Sequence, residues 1–181
     1  MTDTHFALAA VHFGEGDAVD ALFESAVRAL LAGSCDVAGY LQRETPDGED
    51  CCSIMHLEDV STGERIRFSQ ALGPGSKGCR LDPQALAEAS GRLISTIGPH
   101  TDLIVLNRFG KGEADGHGFR NVIERASDLG VPVLTAVREA FEPAWDEFTG
   151  GLGVILPADP ALVTRWAVAT IEKRRLPQPA A

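Results

Sequence analysis

The stretch LIVLNRFGKGEADGHGFR, residues 103–120, sets an apolar run against Asn107, Arg108, Lys111, Glu113, His117 and Arg120, with glycines spaced among them. At the end of a buried strand such side chains offer hydrogen-bond donors and permanent positive charge, which is the chemistry of an anion contact. In the same stretch Asp115 can cap the following helix and His117 can donate to a ligand. The competing reading is a solvated cation cluster paired with Glu113, Asp115 and Glu124.

A second stretch, SQALGPGSKGCRLDP (residues 69–83), places Gly73, Gly75 and Gly78 around Lys77, Cys79 and Arg80, directly before a helix start signal. Glycines let backbone N–H groups converge on an anion, and the cations add charge. Lys77 and Arg80 also favour a thiolate at Cys79. A plain crossover loop with solvated cations remains the alternative. In RIRFSQ, residues 65–70, alternation puts Arg65, Arg67 and Ser69 on one face. Ser69 and Gln70 then join the anion contact as neutral donors.

A third stretch, VHFGEGDAVDAL (residues 11–22), stands where a phosphate-binding loop would stand, but lacks the Lys and adjacent hydroxyl of G-x-x-x-x-G-K-[ST]. With Glu15 and Asp17 in it, a tight turn is the better reading. Cys51, Cys52, His56 and Cys79 do not make a metal site, because adjacent strand residues point to opposite faces and no C-x-x-C or H-x-x-x-H spacing occurs. His56 and Glu58 share a strand face and suggest acid/base work, but no nucleophile is placed with them, and a surface or inter-subunit pair is the better reading.

The elements that position these residues read as an α/β chain. FALAAVHF predicts a strand, and DAVDALFESAVRALLAG a helix capped by Asp17 and ended by a left-handed Gly33. Three short strands with turn-forming separators predict an antiparallel meander at about 36–71. Asp82 and Pro83 open a helix, after which strands and helices alternate to the end, implying a mainly parallel sheet with both faces covered. The expected organisation is one α/β domain over residues 1–176 and a flexible tail at 177–181. The meander, projecting with unpaired edges, is the expected homo-oligomer contact.

The net charge of −10 in 181 residues excludes a general nucleic-acid or anionic-membrane binder. No apolar run approaches the roughly 20 residues that cross a bilayer. Four unevenly spaced cysteines and the lack of a leader-like start predict the cytoplasm.

The long stretches HLEDVSTGERIRFSQALGPGSKGCRLDP and DLIVLNRFGKGEADGHGFR, followed by GVPVLTAVRE, resemble the DUF2478 family over nearly the whole chain. The resemblance implies a P-loop NTPase-like three-layer sandwich related to THEP1-type nucleoside triphosphatases, and an association with molybdenum transport and molybdenum-dependent enzymes. Such triphosphatases carry an acidic Walker B segment of the form DEIGKME; this chain has NRFGKGE, with Asn107 and Arg108 in place of the two acids. Asn and Arg can neither hold Mg²⁺ nor activate water. The expected function is therefore non-catalytic binding of molybdate or tungstate by Ser69, Gln70, Lys77, Gly78, Cys79, Arg80, Asn107, Arg108 and Lys111. His56, Glu58, Glu113, His117 and Arg120 stand behind them, and Glu113 is expected to orient Lys111 or Arg108. No cofactor other than that ligand is expected. Two alternatives stay open: a diverged nucleotide-binding enzyme using His56, Glu58 or His117, and a ligand-free module partnering a molybdenum transporter or metalloenzyme.

Overall fold

Strands that are apolar on both faces need a helical layer on each side, and right-handed crossovers between parallel strands supply it. The computed structural model describes residues 7–46, 53–70 and 80–176. Its first half contains β1 (Leu8–His12), α1 (Val19–Ala32), β2 (Val37–Pro46), β3 (Ser53–Asp59), β4 (Arg65–Arg67), β5 (Ser69–Gln70), β6 (Arg80–Leu81) and α2 (Pro83–Thr96). The second half contains β7 (Leu103–Phe109), α3 (Lys111–Ala114), α4 (Arg120–Leu129), β8 (Val133–Val137), α5 (Glu142–Thr149), β9 (Gly153–Leu156) and α6 (Pro160–Arg175), with a 3-10 turn at Glu139–Phe141.

The central sheet runs β4-β3-β2-β7-β8-β1-β9. Neighbours from β2 to β9 are parallel, and β3 and β4 continue the sheet antiparallel. The expected meander is thus present, but it extends the main sheet through β2 instead of projecting from it. Ala9, Val11, Val105 and Leu134 face α1 and α6, where they meet Phe23, Leu30, Val163 and Ala167. Leu8, Ala10, Ile104 and Leu106 face the other way, toward Leu93, Val122, Ile123 and Trp145 of α2, α4 and α5. Alternation along each strand therefore builds two cores and three layers.

Several local expectations are corrected. Asp82 does cap α2, accepting from Gln84 and Ala85 N–H at 2.9 and 3.3 Å, with Pro83 opening the helix. Asp17 does not cap α1: the N-cap is Ala18, and Asp17 accepts from Gly14 N–H instead. Gly33 has φ −82°, and the left-handed residue is Ser34 at φ 57°. Asp115 ends α3 and does not start α4, whose N-cap is Phe119. Ser69 does not share a face with exposed Arg65 and Arg67. Phe68 is buried after β4 ends, Ser69 is buried beside it, and the chain leaves the main sheet to pair β5 with β6. Residues 71–79, with Lys77, Gly78 and Cys79, lie outside the described residues, as do Cys51, Cys52 and the expected tail.

The junction between meander and parallel sheet depends on one glycine. Gly39 in β2 has φ +130°, and a Cβ there would lie 1.9 Å from Val105 O of β7. Overpacking and left-handed strain each cost about 1–3 kcal/mol. Gly39→Ala is accordingly expected to lose about 3 kcal/mol or more in urea denaturation, or to fail to fold; a variant of wild-type stability would contradict this close approach.

Candidate functional site

In open parallel sheets the crevice for a ligand lies outside the carboxyl ends of strands whose connections leave in opposite directions. Here α1 carries the chain from β1 toward β2, whereas α5 carries it from β8 toward β9. The ends of β1, β7 and β8 therefore define the candidate site.

At the end of β1, Gly14 N–H donates to Asp17 Oδ2 at 2.7 Å, and Gly16 adopts φ +91°. A backbone donor that a phosphate-cradling loop would offer to a ligand is taken by the chain's own carboxylate. At the end of β7 the pairing with β8 passes from Leu106–Thr135 to Phe109–Val137, so one extra residue bulges out. Arg108 sits in that bulge at φ +88°, a conformation costing a non-glycine residue about 1–3 kcal/mol. The bulge lets consecutive side chains reach one acceptor. Asn107 Nδ2 donates to Asp20 Oδ1 at 2.6 Å, and Arg108 Nη2 to Asp20 Oδ2 at 3.3 Å. Asp20 lies in the first turn of α1, where the helix dipole favours a carboxylate. Arg108 and Asp20 are each about one-third exposed (31% and 33%), so screening limits the pair to about 1 kcal/mol.

Two guanidinium groups each stack on one ring. Arg108 lies 5.0 Å and Arg138 5.3 Å from the centroid of Phe13, which is buried. Such stacking holds a planar cation without consuming its hydrogen-bond donors. Among the described residues, neither Arg138 nor Lys111 has a carboxylate within ion-pairing distance. Beside them His12 Nδ1 is hydrogen-bonded to the Glu142 carboxylate, which leaves Nε2 free on a half-exposed ring. His12, Phe13, Asp20, Arg138 and Glu142 are thus site residues that sequence reasoning missed. The rule that ligands sit at strand ends is the signal that would have singled out Arg138 in VLTAVRE. Nothing in the spacing pairs Asp20 with a residue 88 positions later.

The loop after β7 is organised by Glu113. This residue, expected to orient Lys111 or Arg108, is buried and accepts from Gly110 N–H and Phe119 N–H, both at 3.0 Å. Gly118, at φ +64°, has no room for a Cβ, which would lie 2.1 Å from Glu113 Oε1. His117 is exposed, and Arg120 stacks 4.6 Å from the Phe148 centroid while pairing with Glu124 at 3.3 Å. Phe148 and Trp145 in turn pack on Phe109, at 5.7 and 5.3 Å, which ties α5 to the end of β7.

The remaining candidates lie elsewhere. His56 and Glu58 share β3, two strands from β7, and no hydrogen bond links them. Glu58 is held by Arg43 at 2.8 Å and Arg65 at 2.7 Å, and Arg43 also binds Glu24 at 2.6 Å. The Arg43 hydrogen bond is the main cause that holds both carboxyls below the usual range. Ser69 Oγ accepts from Met55 N–H at 2.9 Å, beside β3. The chain at Gln70 and Arg80 pairs in β5 and β6. No hydrogen bond or ion pair among the described residues joins this group to Asn107, Arg108 and Lys111. No cluster of three or more metal-ligating side chains occurs among the described residues. A hollow of about 580 Å³ between α1 and α6 is lined by Ser25, Pro160, Thr164, Arg165, Val168 and Glu172 among others, away from the end of β7. A smaller one, about 260 Å³, reaches Asp17 and Ala18 at the rim of the crevice.

Residues 8–166 match the family described as "Protein of unknown function (DUF2478)". The chain belongs to the DUF2478 family. A segment of the "Molybdenum import ATP-binding protein ModC 2" of Bradyrhizobium diazoefficiens is 38% identical to this DUF2478 chain over 159 residues. That match covers 88% of this chain, which spans only 18% of the relative's length. Among solved structures, that of a human cancer-related nucleoside triphosphatase superposes with a TM-score of 0.66 at 15% identity, covering 94% of this chain and 97% of the other. The DUF2478 chain therefore has a P-loop NTPase-like α/β fold, as its sequence motifs imply. No helix among the described residues is long and apolar enough to cross a membrane.

Two outcomes test this geometry. Glu113→Ala orphans two backbone donors and is expected to cost about 2–4 kcal/mol in chemical denaturation, with Glu113→Gln costing less because one acceptor remains. For Glu24 and Glu58 the folded carboxyls titrate below their unfolded value of about 4.3, so their stabilisation is complete above that pH and lost as pH falls through the folded values. Arg43→Met should therefore flatten stability against pH between about pH 3 and 5 and lower it near neutrality; an unchanged acid limb would contradict the assignment.

Proposed function

We propose that this DUF2478 chain binds a small tetrahedral oxyanion, molybdate or tungstate, without turning over a nucleotide, and stores, delivers or senses it for molybdenum transport in the cytoplasm. The observation that carries the reading is the stacking of both Arg108 and Arg138 on Phe13, with Arg108 reaching the first turn of α1. Guanidinium forks match the oxygens of a tetrahedral dianion, and among the described residues Arg138 has no carboxylate partner to give up. Asn107 supplies a neutral donor and Lys111 a further cation. Asp20 occupies Arg108 when no ligand is bound, and an incoming dianion competes with it. Lys77, Gly78, Cys79 and Arg80, with Ser69 and Gln70, form the second wall in this proposal.

Hydrolysis is disfavoured by the same residues. No Lys stands in the β1–α1 loop, and Asn107 and Arg108 replace the acids that would hold Mg²⁺ and position water. The link to molybdenum is supported by the relative, in which a similar segment lies within a protein named for molybdenum import and ATP binding. That this segment is a minor part of the relative favours a second reading, a module that serves the transport machinery by contact alone.

Thermal shift and calorimetry with molybdate, tungstate, sulfate, phosphate and Mg-ATP separate these readings. Molybdate or tungstate should raise the melting temperature most. Arg108→Glu and Arg138→Ala should each weaken binding by about 10- to 100-fold, the worth of a charge-assisted hydrogen bond, and Asp20→Asn should tighten it. Undiminished affinity in Arg108→Glu would sink the oxyanion site. A response to Mg-ATP alone would point to a diverged nucleotide binder, and no response to any ligand to the contact module.

A further inference from the structure

The two edges of the central sheet are treated differently by the sequence. At one edge, β4 has only three residues, Arg65, Ile66 and Arg67, and both arginines are exposed. Charge and brevity are the devices by which an edge strand avoids pairing with another chain. At the other edge, β9 pairs with β1 on one side and with nothing among the described residues on the other. Residues 152–156 read LGVIL and carry no charge, no Pro and no bulge. Leu152 is 78% exposed, Val154 47% and Ile155 41%. An open backbone edge with an apolar, uncharged sequence is a pairing surface.

We propose that two copies of this chain associate by antiparallel pairing of β9 with β9 across a twofold axis centred on Val154. The occupant follows from the segment's own symmetry. A twofold perpendicular to the sheet preserves faces, so it must pass through a residue position, not between two, because paired residues in a sheet point the same way. Centred on Val154, it sets Val154 against itself, Leu152 against the partner's Leu156, and Gly153 against the partner's Ile155. The leucines and valines then share one face, and Gly153 leaves space for the isoleucine on the other. Centred on Ile155, it would set Gly153 against Pro157, which has no N–H to donate. At the expected meander edge, antiparallel self-pairing of β4 about Ile66 would set Arg65 against the partner's Arg67, so like charge makes that edge the poorer one for this role.

The contact is a single short strand pair, smaller than the roughly 1,200–2,000 Å² of stable interfaces, so a weak, reversible dimer is expected. Each copy carries a net charge of −10, so association should strengthen with ionic strength as long-range repulsion is screened.

Sedimentation equilibrium of the full chain over a range of concentrations and salt tests the proposal. The wild type should show a monomer–dimer equilibrium that shifts toward dimer with salt. Val154→Lys, which sets two ammonium groups against each other at the axis, should be monomeric throughout, with an unchanged melting temperature measured at a concentration where the wild type is monomeric, because the side chain is half-exposed. Arg65→Gln at the opposite edge should leave the equilibrium unchanged. Hydrogen exchange should show the outward β9 amides gaining protection with concentration. A wild type monomeric at all concentrations, or a dimer that survives Val154→Lys, would overturn the β9 interface.

Discussion

A guanidinium cannot shed its proton, so a chain that places one at the end of a buried strand must give it a counter-ion, water or a ligand. In this chain the charge of Arg108 is met by Asp20, and much of the local structure serves that meeting. The bulge at the end of β7 puts Asn107 and Arg108 on the same side, and the left-handed backbone at Arg108 is held there by the contacts it makes with Asp20 and Phe13. Asp17 closes the preceding turn onto Gly14, which lets α1 begin at Val19 and puts Asp20 in its first turn.

The second support of the crevice is built from backbone donors and aromatic rings. Glu113 is buried with two N–H partners, so its charge is satisfied inside the loop and does not compete for Lys111. Phe109 leaves the bulge on the opposite side from the arginine and locks against Trp145 and Phe148, which fixes α5 relative to β7. Arg138 and Glu142 follow β8 closely, so fixing α5 also fixes the wall that faces Arg108. Lys111 is exposed on a four-residue helix that this frame orients. The cations of the crevice therefore rest on rigid elements while their charged ends reach solvent.

The parts legible in the sequence are those set by short-range chemistry. Asp82 and Pro83 begin a helix wherever they stand, and the runs LAAVH, LIVLNRF and VLTAV are too apolar to be anything but covered strands. The glycine-rich, charged stretches that follow β7 and β1 were likewise recognisable as strand ends. What could not be read depends on partners distant in sequence. Asp17 looked like a helix cap, since a carboxylate before an amphipathic run usually is one; only the geometry of the turn shows that Gly14 takes it. Ser69 appeared to continue an alternating strand, but Phe68 has a core to fill and the chain turns away after it. Glu113 seemed an orienting group for its cationic neighbours, whereas the backbone donors of Gly110 and Phe119 offered a buried carboxylate better partners than a flexible ammonium.

The polarity of the crevice follows from comparing it with the arrangement that this fold uses for nucleotides. In a Walker-type site the lysine stands on the loop after the first strand and the acids stand at the end of a neighbouring strand, so the phosphate lies on the loop side and the metal on the strand side. Here the acids, Asp17 and Asp20, stand on the loop and first helix, and the cation, Arg108, stands at the strand end. The sense of the charge pairing across the crevice is therefore reversed. A triphosphate entering by the loop would meet carboxylates, and a magnesium ion at the strand would meet a guanidinium. In the binding proposed above, a small anion that avoids the loop would meet Arg108, Arg138 and Lys111 on the strand side and compete with Asp20 for Arg108. Size and charge density, more than shape, would then decide which anion the proposed site takes.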